Sequence, residues 1–259
     1  MSRSVKVLSV SILSAFLAVS LLLLWISEHH VVPIMMYHHV TAVTPSEGNW
    51  VSPKNFEQQM AYLAKHQYKV IMLDELVDAI QTKKKLPHKT VVITFDDGYD
   101  DNYDQAFPIL RRYQFPATVF LIANKINADG FLNLKQIDEM MAYGINFGSH
   151  TLSHPYLPGL SPQEQEKEIR ESKAKIGKAL NTSIEYFCYP IGGFSDDIKR
   201  MVKEAGYKGA LTTNRGFARS NQDVYELKRI RFGDNDNNLS LGIKLSGYYN
   251  FFRKPQNPY

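Results

Sequence analysis

The sequence is poor in cysteine, in clustered charge and in repetition. Cys188 is the only cysteine among 259 residues, so the chain cannot form an internal disulfide and must depend on its core for stability. The only basic run is Lys83–Lys85, and the formal net charge is +4, which gives no footprint of nucleic-acid binding. We find no internal repeat and no low-complexity tract. With 44% hydrophobic and 22% charged residues, the composition instead suits one globular domain with a sizeable core.

One long segment lacks charge altogether. From Val7 to Ser27 no residue is charged, a length of about twenty residues that can cross a bilayer as a helix. Arg3 and Lys6 precede it, which favours a cytoplasmic N-terminus and an extracytoplasmic remainder attached to the membrane. A cleaved signal peptide, which would leave the domain secreted, is the alternative, although the small-x-small pattern Ala18–Ser20 lies inside the apolar run. We divide the chain into this anchor or signal segment, 1–30, and a folded domain, 31–259.

The folded domain alternates apolar runs with amphipathic stretches, which predicts strands alternating with helices. Predicted strands cover Pro33–Tyr37, Lys69–Leu73, Val91–Phe95, Ala117–Ile122, Ile145–Ser149, Tyr186–Tyr189, Gly209–Thr212 and Leu227–Arg231. Predicted helices cover Ser52–His66, Leu73–Gln81, Asn102–Tyr113, Leu134–Tyr143, Ser161–Leu180 and Ser195–Ala205. This α/β pattern indicates a parallel sheet closed into a (β/α) barrel, with functional residues at the carboxyl ends of the strands. The last residues, Arg253–Tyr259, are expected to form a loosely ordered tail.

The strand Val91–Phe95 runs directly into Asp96, Asp97 and Gly98. Successive side chains of a strand point to opposite faces, so a turn at Gly98 is needed to bring both carboxylates to one cleft. Asp-Gly is also a common turn dipeptide without any function.

Two histidines, His150 and His154, follow another predicted strand. Pro155 disfavours a helix at His154, so the pair belongs to a loop. Two neutral imidazoles and one carboxylate can hold a divalent metal ion, which leaves one carboxylate as a candidate base. A purely structural histidine pair is the alternative.

These two motifs resemble those of the NodB-type polysaccharide deacetylases, carbohydrate esterase family 4. Thr94–Gly98 is similar to the first motif of that family and His150–His154 to the second, and the resemblance covers about 31–232. It implies a distorted (β/α) barrel that removes acetyl groups from N-acetylated sugars with Zn²⁺, or with Co²⁺ or Ni²⁺. By motif position, Asp96 is the base, and Asp97, His150 and His154 are the metal ligands.

The third motif of the family is altered in this chain. Many members have Arg-Pro-Pro-Tyr-Gly where this sequence has Cys188–Gly192, so the usual arginine partner of the base is replaced by a cysteine. The N–H of Ile191, at the tyrosine position, is expected to form the oxyanion hole, which needs no particular side chain. We interpret Cys188 as a buried structural residue. Tyr189, Pro190 and the loop residue Trp50 are predicted to contact substrate.

No histidine follows His154, so the usual late leucine-x-histidine motif is missing. Ile34–Val40 instead resembles the tyrosine-histidine element of the biofilm-type poly-N-acetylglucosamine deacetylases, where this histidine is the acid. His38 matches best and His39 is the second choice. The alternative is a histidine that merely ends the first strand.

The resemblance implies a metal-dependent hydrolase that releases acetate from an N-acetylglucosamine polymer. We expect a monomer. Poly-N-acetylglucosamine is favoured over peptidoglycan. Two alternatives stay open: an esterase that removes O-acetyl groups, and a catalytically silent sugar-binding module of the envelope.

Overall fold

The predicted strands and helices are present in the structure, a computed structural model that describes residues 14, 16–21, 30–43, 49–216, 221–249, 253 and 256–258. The strands are β1 (Ile34–Tyr37), β2 (His39–Val40), β3 (Trp50–Val51), β4 (Lys69–Val70), β5 (Thr90–Phe95), β6 (Thr118–Leu121), β7 (Asn146–Ser149), β8 (Tyr186–Cys188), β9 (Gly209–Leu211) and β10 (Ile230–Arg231). The helices are α1 (Pro53–Lys65), α2 (Leu73–Gln81), α3 (Phe107–Tyr113), α4 (Leu134–Tyr143), α5 (Pro162–Leu180), α6 (Asp196–Glu204) and α7 (Asn238–Lys244).

Eight of the described strands form one parallel sheet in the order β10-β1-β5-β6-β7-β8-β9, with β4 paired to β5. The sheet curls into an incomplete barrel. Leu227 N–H donates to the Ala210 carbonyl and Arg229 N–H to the Thr213 carbonyl, so the chain entering β10 lies beside β9. The expected distorted (β/α) barrel is confirmed.

The two faces of the strands pack into two separate apolar clusters, as the two-residue period of a strand requires. Met35, Ile93 and Phe95 belong to the larger cluster, which contains the inner faces of the surrounding helices. Ile34, Val92 and Cys188 belong to the smaller cluster, together with residues of α2. Asp96 follows β5 and lies four residues after Val92, so its side chain points to the same face as Val92, into the barrel.

Helix ends follow their local signals. At the start of α5 the Ser161 hydroxyl caps the Glu164 N–H, and the Glu164 carboxylate returns a hydrogen bond to Ser161 N–H. The helix predicted from residue 102 differs in its first turn, which is wider over Asn102–Ala106. Pro108 explains the change, because it has no N–H to donate to the carbonyl one turn earlier. The short strands β2 and β3 and the helix α7 were not predicted.

The predicted N-terminal anchor falls largely on residues 1–13, 15 and 22–29, which lie outside the described residues. Within the described part of the chain, no helix is both long enough and apolar enough to cross a membrane.

Candidate active site

The candidate site is a cleft of about 860 Å³ at the carboxyl ends of the strands. Asp96 and Asp97 follow β5, and His38 follows β1. His150 follows β7, so strands that are separate in sequence deliver their terminal residues to one place. The cleft is lined by all four of these residues and by His154, Ile191 and Arg229.

Asp97, His150 and His154 meet around a common point. The Asp97 Oδ1 atom lies 3.6 Å from His150 Nε2 and 3.4 Å from His154 Nε2, and one ligand atom from each residue lies within 4.8 Å of the others. Asp97 Oδ1 is buried and accepts no hydrogen bond from any described residue. A buried carboxylate oxygen without a donor is costly unless a cation binds it, so the donor set fits a metal ion.

The backbone turns sharply to build this arrangement. Asp97 has φ of 72° and Gly98 has φ of 75°, so the left-handed turn begins one residue before the predicted glycine. His154 also has a positive φ of 64°, and its N–H donates to the Thr151 hydroxyl over 3.0 Å. Strained residues that persist at a cleft are held by their surroundings, which is common at functional sites.

Neighbouring groups orient both imidazoles. His150 Nδ1 lies 2.7 Å from the Cys188 carbonyl, a contact that requires the proton on Nδ1 and leaves the Nε2 lone pair toward Asp97. Burial lowers the pKa of His150 to about 3, so the ring is neutral, as a metal ligand must be. Glu168 of α5 accepts hydrogen bonds from the N–H groups of Leu152 and Ser153 and so fixes the loop that carries His154.

A second donor group, Asp96, His150 and Cys188, is also compact enough to hold an ion. Its members are already engaged. Both Asp96 oxygens accept hydrogen bonds from Arg229, and burial raises the pKa of the Cys188 thiol well above its usual value, which keeps it protonated. The Asp97 group is therefore the better metal site.

Asp96 is held by a buried arginine that the sequence analysis missed. Arg229 Nη1 and Nη2 each donate to one Asp96 oxygen over 2.6 Å, and Arg229 Nε donates to the Thr212 carbonyl. The Arg229 side chain is fully buried. The signal was present, because Arg229 lies inside the predicted strand Leu227–Arg231, where a charged residue needs a buried partner.

Arg229 also resolves the altered third motif. Its Nη2 atom lies 3.1 Å from Cys188 Sγ, so the guanidinium occupies the space beside the cysteine that stands in the usual arginine position. The interpretation of Cys188 as a buried residue agrees with its zero exposure. Asp96, the predicted base, has an arginine partner that is supplied by the residue before β10 instead of by the end of β8.

The two aspartates differ in their electrostatics. Burial opposes charge on Asp96, but the Arg229 charge and its hydrogen bonds outweigh it and hold the pKa of that carboxyl well below its usual range. Burial, aided by the Asp96 charge, raises the pKa of Asp97 to about 7. Asp96 is therefore an anion at neutral pH, and Asp97 needs a cation to be fully ionised.

The two candidate acids occupy different places. His38 Nε2 lies 3.8 Å from Asp96 Oδ2, and Asn102 Nδ2 donates to the His38 carbonyl. His39 instead contacts Asp101 through Nδ1 over 2.7 Å and stacks on Tyr99. Burial lowers the pKa of His38 to about 4, so its ring is neutral in the free protein. Geometry thus places His38, the first choice, beside Asp96, the predicted base.

Ile191 lies at the cleft on a strained turn with φ of 58°, and its side chain is 53% exposed. Arg215 Nε donates to the Ile191 carbonyl, and Arg215 Nη1 donates to the Asn257 carbonyl. The oxyanion role of the Ile191 N–H stays a prediction.

The predicted loose tail, Arg253–Tyr259, includes residues 254, 255 and 259, which lie outside the described residues, and its described residues 256–258 differ from expectation. Phe194 N–H donates to the Pro258 carbonyl, and Gln256 bonds through its N–H to the Asn214 carbonyl and through its own carbonyl to Gly216 N–H. Residues 256–258 are therefore attached to the loops after β8 and β9, because their backbone groups form hydrogen bonds with the backbone groups of those loops.

Two of the predicted substrate contacts need correction. Tyr189 has no exposed surface, stacks on Phe194 and donates its hydroxyl to the Tyr225 carbonyl. Pro190 is also buried. Neither ring can stack on a sugar, because packing already covers both. Trp50 is half-buried in β3, where it pairs with His39, and its substrate contact stays a prediction.

Comparisons with known proteins identify the family of this chain. The polysaccharide deacetylase family profile matches residues 83–210. This chain is 34% identical to YxkH of Bacillus subtilis (strain 168), whose name describes it as a polysaccharide deacetylase. The similarity extends over 215 residues, which are 82% of this chain and 75% of that protein. The poly-beta-1,6-N-acetyl-D-glucosamine N-deacetylase of Staphylococcus aureus (strain MSSA476) is 32% identical over 71% of this chain and 68% of its own length. The structure of Streptococcus pyogenes deacetylase PplD in complex with acetate has a TM-score of 0.77 at 32% identity and covers 83% of this chain and 97% of that one.

Proposed function

Because the chain belongs to the polysaccharide deacetylase family, we propose that it is a metal-dependent hydrolase that removes N-acetyl groups from an N-acetylglucosamine-containing polysaccharide. The observation that carries this proposal is that His150 and His154 converge on Asp97 Oδ1, with Asp96 beside them. This buried oxygen accepts no hydrogen bond from any residue in the described part of the chain. Products would be acetate and a free amine on the polymer.

Asp97, His150 and His154 would hold the ion. Two imidazoles and a carboxylate suit Zn²⁺, and Co²⁺ or Ni²⁺ accept the same donors. When bound, such an ion polarises the acetyl carbonyl and lowers the pKa of a bound water.

The remaining groups divide the proton transfers. Asp96, anionic and fixed by Arg229, accepts a proton from the attacking water. The N–H of Ile191 donates to the developing oxyanion. His38 delivers a proton to the leaving nitrogen, and its Nε2 lies 3.8 Å from Asp96 Oδ2, on the side where Asp96 takes up the water proton. One water supplies the hydroxyl group of acetic acid and the new hydrogen of the amine. The acid then loses its proton to the amine or to solvent, which gives acetate.

Poly-N-acetylglucosamine is the first polymer to test, because the Staphylococcus aureus relative is named for it and Ile34–Val40 resembles the corresponding element. The experiment measures acetate released by the zinc-loaded protein from β-1,6-linked N-acetylglucosamine oligomers, from peptidoglycan and from O-acetylated xylan. We expect release from an N-acetylated polymer that stops with chelator and returns with Zn²⁺. Release from acetylated xylan alone, or release that is insensitive to thorough chelation, would contradict the proposal.

We also propose that the enzyme works outside the cytoplasm, tethered by 7–27. The support is the absence of charge in this segment and the basic residues Arg3 and Lys6 before it. Protease added to intact cells should digest the domain. In untreated cells the domain should be recovered in the membrane fraction. A domain recovered in the cytosolic fraction would contradict the tether.

A further inference from the structure

The two histidines of the proposed metal site differ in what holds their backbone. His150 directly follows β7, where its N–H donates to the Leu121 carbonyl over 2.8 Å and its Nδ1 lies 2.7 Å from the Cys188 carbonyl. His154 lies at the end of the loop 151–154, in which Thr151 and His154 both have positive φ values, 69° and 64°. The sheet therefore places His150, whereas His154 depends on contacts made by its loop.

Glu168 of α5 makes the contacts that hold this loop. Its Oε2 atom accepts hydrogen bonds from Leu152 N–H over 2.8 Å and from Ser153 N–H over 3.0 Å. Its Oε1 atom accepts a third from the Ser153 hydroxyl over 2.7 Å. Successive N–H groups that point to one anion form a concave binding site, and hydrogen bonds to a carboxylate are stronger than neutral ones. One side chain thus fixes the two residues that precede His154.

The helix that carries Glu168 is attached to both ends of the segment between β7 and α5. Gln165, three residues before Glu168, donates to two backbone carbonyls near the end of that segment. Ser172, four residues after Glu168, accepts a hydrogen bond over 2.8 Å from the hydroxyl of Ser149, the last residue of β7. Residues spaced by three and four lie on one helix face. The position of Glu168 relative to the loop is therefore fixed by contacts on either side of it.

We propose that Glu168 is a positioning residue that sets the metal affinity of the site by holding His154 beside Asp97. Without the carboxylate, the N–H groups of Leu152 and Ser153 lose their acceptor and the strained loop relaxes. Relaxation moves the His154 imidazole from its position 3.4 Å from Asp97 Oδ1. Glu168 does not line the cleft, so it acts through the loop and not on the substrate. The inference rests on the proposed metal-dependent function.

The test measures the dissociation constant of Zn²⁺ for the full chain and for variants at Glu168. Glu168→Ala removes all three hydrogen bonds, and we expect the dissociation constant to rise about 10- to 100-fold, the range typical of groups that orient metal ligands. Glu168→Gln retains a neutral carbonyl oxygen that can accept from the two N–H groups. Its dissociation constant should therefore lie between those of the unmodified protein and Glu168→Ala.

The matched control is Glu166→Ala, on the same helix. Glu166 forms an exposed ion pair with Arg170, so this variant removes an equal charge from α5 without touching the loop 151–154. Its zinc affinity should equal that of the unmodified protein. A loss as large as that of Glu168→Ala would contradict the proposal, because the charge of the helix and not the contact with the loop would then set the affinity.

Two further measurements separate positioning from a general effect on the fold. Co²⁺ bound in place of Zn²⁺ has visible absorption bands that depend on the number and geometry of its ligands, and these bands should change in Glu168→Ala. At saturating Zn²⁺, kcat for acetate release from an N-acetylglucosamine oligomer should fall about tenfold. KM should not change, because Glu168 lies outside the cleft.

The possible failures are distinguishable. Unchanged zinc affinity and an unchanged Co²⁺ spectrum in Glu168→Ala would overturn the positioning role, even if the free energy of unfolding fell. If Glu168→Ala does not fold, unchanged zinc affinity in Glu168→Gln would overturn it. No zinc binding by the unmodified protein, or no chelator-sensitive acetate release from it, would instead overturn the proposed function itself.

Discussion

Asp96 and Asp97 are consecutive residues, yet they lie in opposite environments. Each oxygen of Asp96 accepts a 2.6 Å hydrogen bond from Arg229, 133 residues further along the chain. Asp97 Oδ1 accepts no hydrogen bond from the residues that the structure describes, and it faces two imidazoles at 3.4 and 3.6 Å. The same side chain is thus given two roles by partners that the barrel brings from other strands. Asp96 is a fixed anion, whereas Asp97 is the proposed metal ligand.

The largest loss of activity is expected when the proposed metal-binding group around Asp97 is disrupted. Changing His150→Ala removes one of the three donors, so we expect metal binding to be lost and acetate release to fall at least about a thousandfold, as removing several kcal/mol of charge stabilisation requires. Bound zinc and turnover are measured together. His66→Ala, at the end of α1, makes the same chemical change away from the cleft and should affect neither. Full zinc content in His150→Ala would refute the ligand assignment.

Disrupting the ion pair between Asp96 and Arg229 should lower the stability of the protein but leave zinc binding intact. In Arg229→Gln the buried Asp96 loses both charged hydrogen bonds, so the free energy of unfolding should drop by about 3–5 kcal/mol while zinc still binds. Urea titration of the zinc-loaded protein measures this drop. The exposed pair broken by Arg200→Gln should cost less than about 1 kcal/mol. Similar costs for the two variants would contradict the buried pair.

The turn that separates the two aspartates can be tested at Gly98. A Cβ there would lie 2.6 Å from Leu121 Cδ2, and the φ of 75° is unfavourable for alanine. Gly98→Ala should therefore destabilise the protein by about 1–3 kcal/mol and weaken zinc binding. Gly130→Ala has the same backbone strain, with φ of 79°, but no atom within 4 Å of the new Cβ. Equal costs at both glycines would mean that the contact with Leu121 is unimportant.

The smallest effect is expected at Tyr189, the residue that follows β8. Tyr189→Phe deletes the hydrogen bond to the Tyr225 carbonyl, which should cost about 1 kcal/mol of unfolding free energy. KM should not change, because the ring is buried. A raised KM with unchanged stability would restore Tyr189 as a substrate contact.

The sequence predicted those features of the fold that depend on neighbouring residues. The strand before Asp96, the capped start of α5 at Ser161, and the loop forced by Pro155 all follow from neighbouring residues, and the structure contains each of them. Arg229 could not be paired with Asp96 in advance, because their contact depends on β10 lying beside β1, and β1 beside β5. The burial of Tyr189 was missed for the same reason, since its partners Phe194 and Tyr225 approach only in the folded barrel.

We propose that Asp97 binds the metal and that Asp96 does not. This assignment is tested most directly by titrating zinc into Asp96→Asn and Asp97→Asn in parallel and measuring acetate release from each. We predict that Asp96→Asn binds one zinc ion with little loss of affinity but no longer releases acetate, whereas Asp97→Asn loses the zinc itself. Equal loss of zinc in both variants, or loss only in Asp96→Asn, would contradict the account.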